Sequence, residues 1–199
     1  LLAGAMVSCS TEDIAPSTQN GKVAVQFTGG ISVNTRAAGV AWADGDKIGI
    51  FMIEAGKTLS SDAISEGVDN VCYQSNGSKA FSPISGGKTV FFPIDGDVDF
   101  YSYYPQTTVN DYKVALDVTD QTKQETIDFM YAKTEGCNKA TPQVDLKFFH
   151  KLSNLILDVQ PGNGLTQEDL KKMTVTVKGQ NTKATFNLVD GTISGEETP

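Results

Sequence analysis

Basic and metal-ligating residues are scarce in this chain. Among its 199 residues there is a single histidine, His150, a single arginine, Arg36, and three cysteines. That leaves little material for a zinc site, and no second base for a Ser-His-Asp or Cys-His arrangement. The 16 lysines and arginines are outnumbered by 24 aspartates and glutamates, for a net charge of −8. The basic residues are scattered, whereas a nucleic-acid binder needs a basic stripe to meet phosphates, so that class is disfavoured. Past the first few residues, no stretch approaches the roughly 18 consecutive apolar residues of a membrane-spanning helix. Composition thus argues against most enzymes, and no cofactor or metal is expected.

What the chain does have is apolar material in short runs. Hydrophobic residues make up 39%, and 19 glycines and 7 prolines interrupt them. This is enough to bury a core. Val, Ile, Thr, Phe and Tyr dominate the runs, so the fold class reads as all-β. In Lys22–Phe27, the residues Val23, Val25 and Phe27 fall on one face of a half-buried strand. Lys47–Ile53 is apolar on both faces, as a central strand is. Further strands are expected over Val71–Gln74, Thr89–Phe92, Val98–Tyr104, Tyr112–Val118 and Ile127–Tyr131. Asn76-Gly77, Gly86-Gly87 and Asp95-Gly96 supply turns between them.

From Val144 onward, Leu146, Phe148, His150 and Leu152 share a parity that Leu155, Leu157 and Val159 reverse, so a bulge or break is expected near Ser153-Asn154. Pro161-Gly162-Asn163-Gly164 reads as a linker. Thr166 and Asp169 have the spacing of a helix-start capping box. Met173–Lys178 and Lys183–Leu188 read as a hairpin. Residues after the linker are too few for an independent core, so either the last strands pack on the first domain or the chain continues; Glu196–Pro199 reads as a loop, which favours continuation. The expected organisation is a leader tail and tether over 1–21, a first β domain over 22–160, and the start of a second over 161–199.

Several local patterns invite chemistry and do not carry it. Gly86-Gly87-Lys88-Thr89 echoes a phosphate loop, but a strand follows where a helix is needed. Asp95, Asp97 and Asp99 open like a calcium loop, then place Phe100 and Gln106 where Gly and Glu belong. A polar turn with an outward Asp99 accounts for them. His150 reads as a hydrogen-bonded core histidine. Cys72 and Cys137 would have an oxidising compartment in which to pair after export, but spacing alone does not bring them together. Phe100-Tyr101-Ser102-Tyr103-Tyr104 fits either a sandwich strand with aromatics on both faces or a sugar-binding platform.

The N-terminus, LLAGAMVSCS, is similar to the end of a secretory signal whose charged start is missing. Met6-Val7-Ser8-Cys9 resembles a bacterial lipobox, which would make Cys9 the lipid site. A buried strand holding an inert cysteine is the other reading. Polar, turn-rich residues follow, as in a tether. Arg36 stands among small residues after the first expected strand, either a good protease site or a lone surface arginine in a loop.

Several motifs then recur in a familiar order. They are Thr35-Arg36-Ala37, Trp42 with Gly45-Asp46 and Ile48-Gly49-Ile50-Phe51, Phe91-Phe92-Pro93, Val98–Pro105, Asp128–Ala132 and Phe149-His150-Lys151-Leu152-Ser153. Together, over about Lys22 to Gly191, they resemble the fimbrillin-like family of Bacteroidota surface lipoproteins. The resemblance implies transthyretin-like β-sandwich domains and a pilus subunit or adhesin, not an enzyme. It implies export to the cell surface and an outer-membrane lipid anchor. It also implies donor-strand exchange: a cut after Arg36 removes the strand carrying Val23, Val25 and Phe27, and another pilus subunit supplies a replacement. Host proteins or glycans are further expected partners. The alternative is a surface lipoprotein that binds glycans through Tyr101 or Tyr103.

Overall fold

The computed structural model describes residues 17–32 and 41–195. The chain is all-β. Its strands are β1 (Thr18–Gln19), β2 (Lys22–Val23), β3 (Gln26–Ser32), β4 (Asp44–Glu54), β5 (Val71–Asn76), β6 (Ala80–Pro83), β7 (Val98–Tyr104), β8 (Lys113–Asp117), β9 (Met130–Cys137), β10 (Gln143–His150), β11 (Lys183–Asn187) and β12 (Thr192–Gly195). Seven of them close into a barrel in the order β10-β3-β6-β5-β4-β7-β9. A separate three-stranded sheet runs β12-β11-β8.

Side-chain parity explains how the two sheets fit together. Strands β4, β7 and β9 form a wall that is apolar on both faces. Ile48, Ile50, Met52, Val98, Phe100, Tyr104, Met130 and Ala132 point into the barrel core. Their neighbours Phe51, Ile53, Tyr101, Tyr103 and Tyr131 belong to a second core, closed by Val114, Leu116, Phe186 and Leu188 of the smaller sheet and its margin. Every residue of β7 is buried. At the crowded crossing of β4 and β7, a Cβ on Gly49 would lie 2.3 Å from the Tyr103 ring, so only glycine fits there.

Several expectations need correction. Thr89–Phe92 is not a strand; Val90 and Phe92 are fully buried, but only Phe91 forms a bridge, with Ala24. A strand expected over Ile127–Tyr131 starts at Met130 and runs to Cys137. Met173–Lys178 forms no hairpin with Lys183–Leu188. Instead β11 pairs with β8 and β12, and Met173, Val175 and Val177 stand exposed. The strand from Gln143 ends at His150, ahead of the expected break, and Leu155, Leu157 and Val159 lie exposed beyond it. Asp99 points inward because β7 has no solvent face: its carboxylate accepts from Gly56 N at 2.9 Å and Gly136 N at 2.8 Å.

Local signals fared better where they needed no distant partner. Thr166 caps the single turn α1 (Gln167–Leu170), and Asp169 reciprocates to Thr166 N at 2.8 Å. His150 turns inward, 5% exposed, with Nδ1 2.8 Å from Asp128 Oδ1.

Candidate functional site: the first strand and its groove

β3 closes the barrel, and it does so between strands remote in sequence. It runs parallel to β10, from the Gln26–Gln143 pair to the Ser32–Phe149 pair. On its other side it runs antiparallel to β6, through Phe27–Phe81 and Thr28–Ala80. Backbone bonds extend this hold at both ends. Gln26 N donates to Pro142 O at 2.9 Å, and Gly29 N to Lys79 O at 2.8 Å. Just before β3, Val25 N donates to Val90 O and Phe92 N donates to Val23 O, both at 2.9 Å. Lys22 pairs with Glu66 near the start of this stretch.

The inward face of the stretch is Val25, Phe27, Gly29 and Ile31. Val25 and Phe27 are buried in the barrel core, and Ile31 packs against it. Val23, expected on this face with them, is only half-buried. The Phe27 ring sits edge-on between Tyr73 and Phe100, with centroids 5.1 Å from each. Burial pushes the Tyr73 phenol above its ordinary pKa, and a hydrogen bond from Val90 N partly opposes the shift. Further along, Trp42 enters the groove from the segment that follows the first strand. Its Nε1 donates to Gly29 O at 2.9 Å. The indole is held edge-on by Phe81 at 5.0 Å, Tyr104 at 5.4 Å and Phe148 at 5.0 Å. In the sequence Trp42 stands out only as a motif residue, and no local pattern marks Gly29.

Other expected sites fare differently. Cys9, Arg36 and Ala37 lie outside the described residues. Cys72 and Cys137 are free thiols, on β5 and β9. Burial raises both thiol pKa values. No group of three or more His, Cys, Asp or Glu gathers as a metal site among the described residues. Tyr101 is 2% exposed and Tyr103 fully buried, so neither is available as a sugar platform. Tyr103 is tied down by Asn70 Oδ1 at 2.8 Å and Thr107 O at 2.7 Å. Burial, opposed by a hydrogen bond that the hydroxyl accepts from Thr107 N at 3.2 Å, pushes its phenol pKa up to about 12.

The described residues thus form a two-core all-β body in which β3 closes a barrel between strands distant in sequence. The chain belongs to the fimbrillin-like family, which it matches over residues 35–199. It is 38% identical over 201 aligned residues to Fim1C, a candidate fimbrium subunit of Bacteroides uniformis. That alignment covers 96% of this chain and 64% of the relative, so the chain spans less than two thirds of that protein's length. The fold is similar to the crystal structure of a candidate cell adhesion protein from Bacteroides uniformis, with TM-score 0.66, 32% identity, and coverage of 90% of this chain and 68% of the other. A second candidate cell adhesion protein, from Bacteroides ovatus, matches with TM-score 0.64, 25% identity, and coverage of 89% and 69%.

Proposed function

We propose that this protein is a fimbrial subunit, or a fimbrillin-like cell-surface lipoprotein, with a structural and adhesive role and no enzymatic one. It assembles by donor-strand exchange. The observation that carries this reading is the position of β3. Removing it opens the barrel, bares the backbone edges of β10 and β6, and uncovers the apolar groove that held Val25 and Phe27. Burial of each of those side chains is worth roughly 1.5–3 kcal/mol. An open edge above an apolar groove is unstable until another strand fills it, and strand addition restores both hydrogen bonds and burial.

Processing follows from the same reading. Cutting after Arg36 frees the first strand and makes Ala37 the mature N-terminus. Cys9 carries the lipid that brings the precursor to the outer membrane and the cell surface. Other pilus subunits are the partners in exchange, and host proteins or glycans are ligands of the assembled fibre. The division into a transthyretin-like sandwich domain over 22–160 and the start of a second over 161–199 is crossed by the β8–β11 pairing, so β11 and β12 complete the first domain. Phe186 and Leu188 likewise pack into the second core of the first body.

The test is an Arg36→Ala variant of the full-length protein in its native host. Loss of polymer ladders on gels, with an uncut precursor retaining its lipid, is expected. Ladders that persist unchanged would overturn the reading.

A further inference from the structure

The groove contains a size filter at one position. In β3 the inward residue after Phe27 is Gly29. A Cβ built there would lie 2.7 Å from Phe81 Cε2, 3.3 Å from Trp42 Nε1 and 3.4 Å from Phe148 Cε2. These are not loose side-chain ends. Phe81 and Trp42 are each 6% exposed, Phe148 is fully buried, and Trp42 holds the other two rings edge-on. Packed rings resist the shift that an added side chain would demand. The neighbouring Gly30 is the opposite case: a Cβ there meets nothing within 4 Å. Neither glycine has the positive backbone φ that would itself demand glycine. The requirement at Gly29 is therefore spatial.

We infer that the groove admits only strands that place glycine opposite Trp42, two residues after a large apolar side chain that fills the Phe27 slot. The inference rests on the strand-exchange reading and specifies its partner: a β-strand of another polypeptide reading large apolar, any residue, glycine, parallel to β10. The other contacts at this position are indifferent to sequence. Trp42 Nε1 needs a backbone carbonyl, and Lys79 O needs a backbone N–H, which every residue but proline supplies. Discrimination falls on the missing side chain. A site crowded against a side chain selects by exclusion, which is how a specific partner is separated from other strands of equal hydrophobicity.

The test uses a matched pair of substitutions, Gly29→Val and Gly30→Val, which make the same change on opposite faces. In the full-length, uncut protein, Gly29→Val is expected to lower the melting temperature, whereas Gly30→Val leaves it unchanged or raises it, since valine favours strands. Adding Phe81→Ala to Gly29→Val is expected to cost less than the two changes do separately. Because Arg36 is the only arginine, an Arg-specific protease cuts the chain once. Synthetic peptides spanning 22–32 then compete for the groove of the cut protein. The unchanged and Gly30→Val peptides are expected to displace the resident strand, and the Gly29→Val peptide to bind about tenfold more weakly or worse. Equal capture of the Gly29→Val and unchanged peptides, or equal stability of the two intact variants, would overturn the filter. Failure of every peptide, the unchanged one included, with Gly29→Val still destabilising the intact protein, would overturn the exchange reading and with it the filter's role in choosing a partner.

Discussion

The ring of Phe27 meets that of Phe100 edge-on, 5.1 Å between centroids at an interplanar angle of 88°. The contact joins the strand that closes the barrel to the middle of its most buried strand. Phe27→Ala is therefore expected to destabilise the uncut protein by about 3–5 kcal/mol. Val23→Ala, at a half-buried position on the same stretch, should cost under about 1 kcal/mol. Denaturant midpoints of the two variants, compared at equal slope, check both values.

Trp42 is the only tryptophan in the chain, is 6% exposed, and donates to Gly29 of the first strand. Its emission thus reports whether the groove is filled. Cutting at Arg36 alone should leave the spectrum unchanged, because the cut strand remains held by its ladders to β10 and β6. Stripping the strand away should shift emission to the red, and adding back a 22–32 peptide should reverse it. A red shift on cutting alone would mean that the strand does not hold without its covalent link.

These two residues also mark what could be read before the structure. Val25 and Phe27 were legible because alternation is local, and so were Thr166 and Asp169, which cap a turn four residues long. The partner of β3 was not legible. β10 lies more than a hundred residues away and runs parallel, so no turn signal links the two strands. Gly29-Gly30 sits mid-strand, where ring packing and not backbone curvature demands the first glycine. An outward Asp99 requires a solvent face on β7. The strand has none, and the carboxylate finds two backbone N–H groups instead. Met173–Lys178 carries a strand pattern, but a pattern forms a strand only when an edge is there to receive it.

Alkaline pH gives a separate test of the second core. The Tyr103 phenol pKa is pushed up to about 12 from an ordinary value of 10.0, chiefly by burial. The buried form must stay neutral, while the unfolded chain ionises near the ordinary value. Stability is then flat with respect to this group below pH 10.0 and falls as pH rises from there to about 12. The slope per titrating tyrosine is about 1.4 kcal/mol per pH unit. Burial raises Tyr73 and Tyr131 in the same direction. Tyr103→Phe should lower stability at neutral pH through its lost hydrogen bonds, but flatten the alkaline fall. Urea melts across this range would show both effects, and an unchanged alkaline slope in the variant would refute the assignment.

The central claim is that the first strand leaves and another takes its place. Its most direct measurement is peptide mapping by mass spectrometry of polymer and monomer isolated separately from the native host. The account predicts that residues 22–32 are present in the monomeric precursor and absent from the polymer, whose subunits begin at Ala37. Polymers that retain residues 22–32 in every subunit would contradict it.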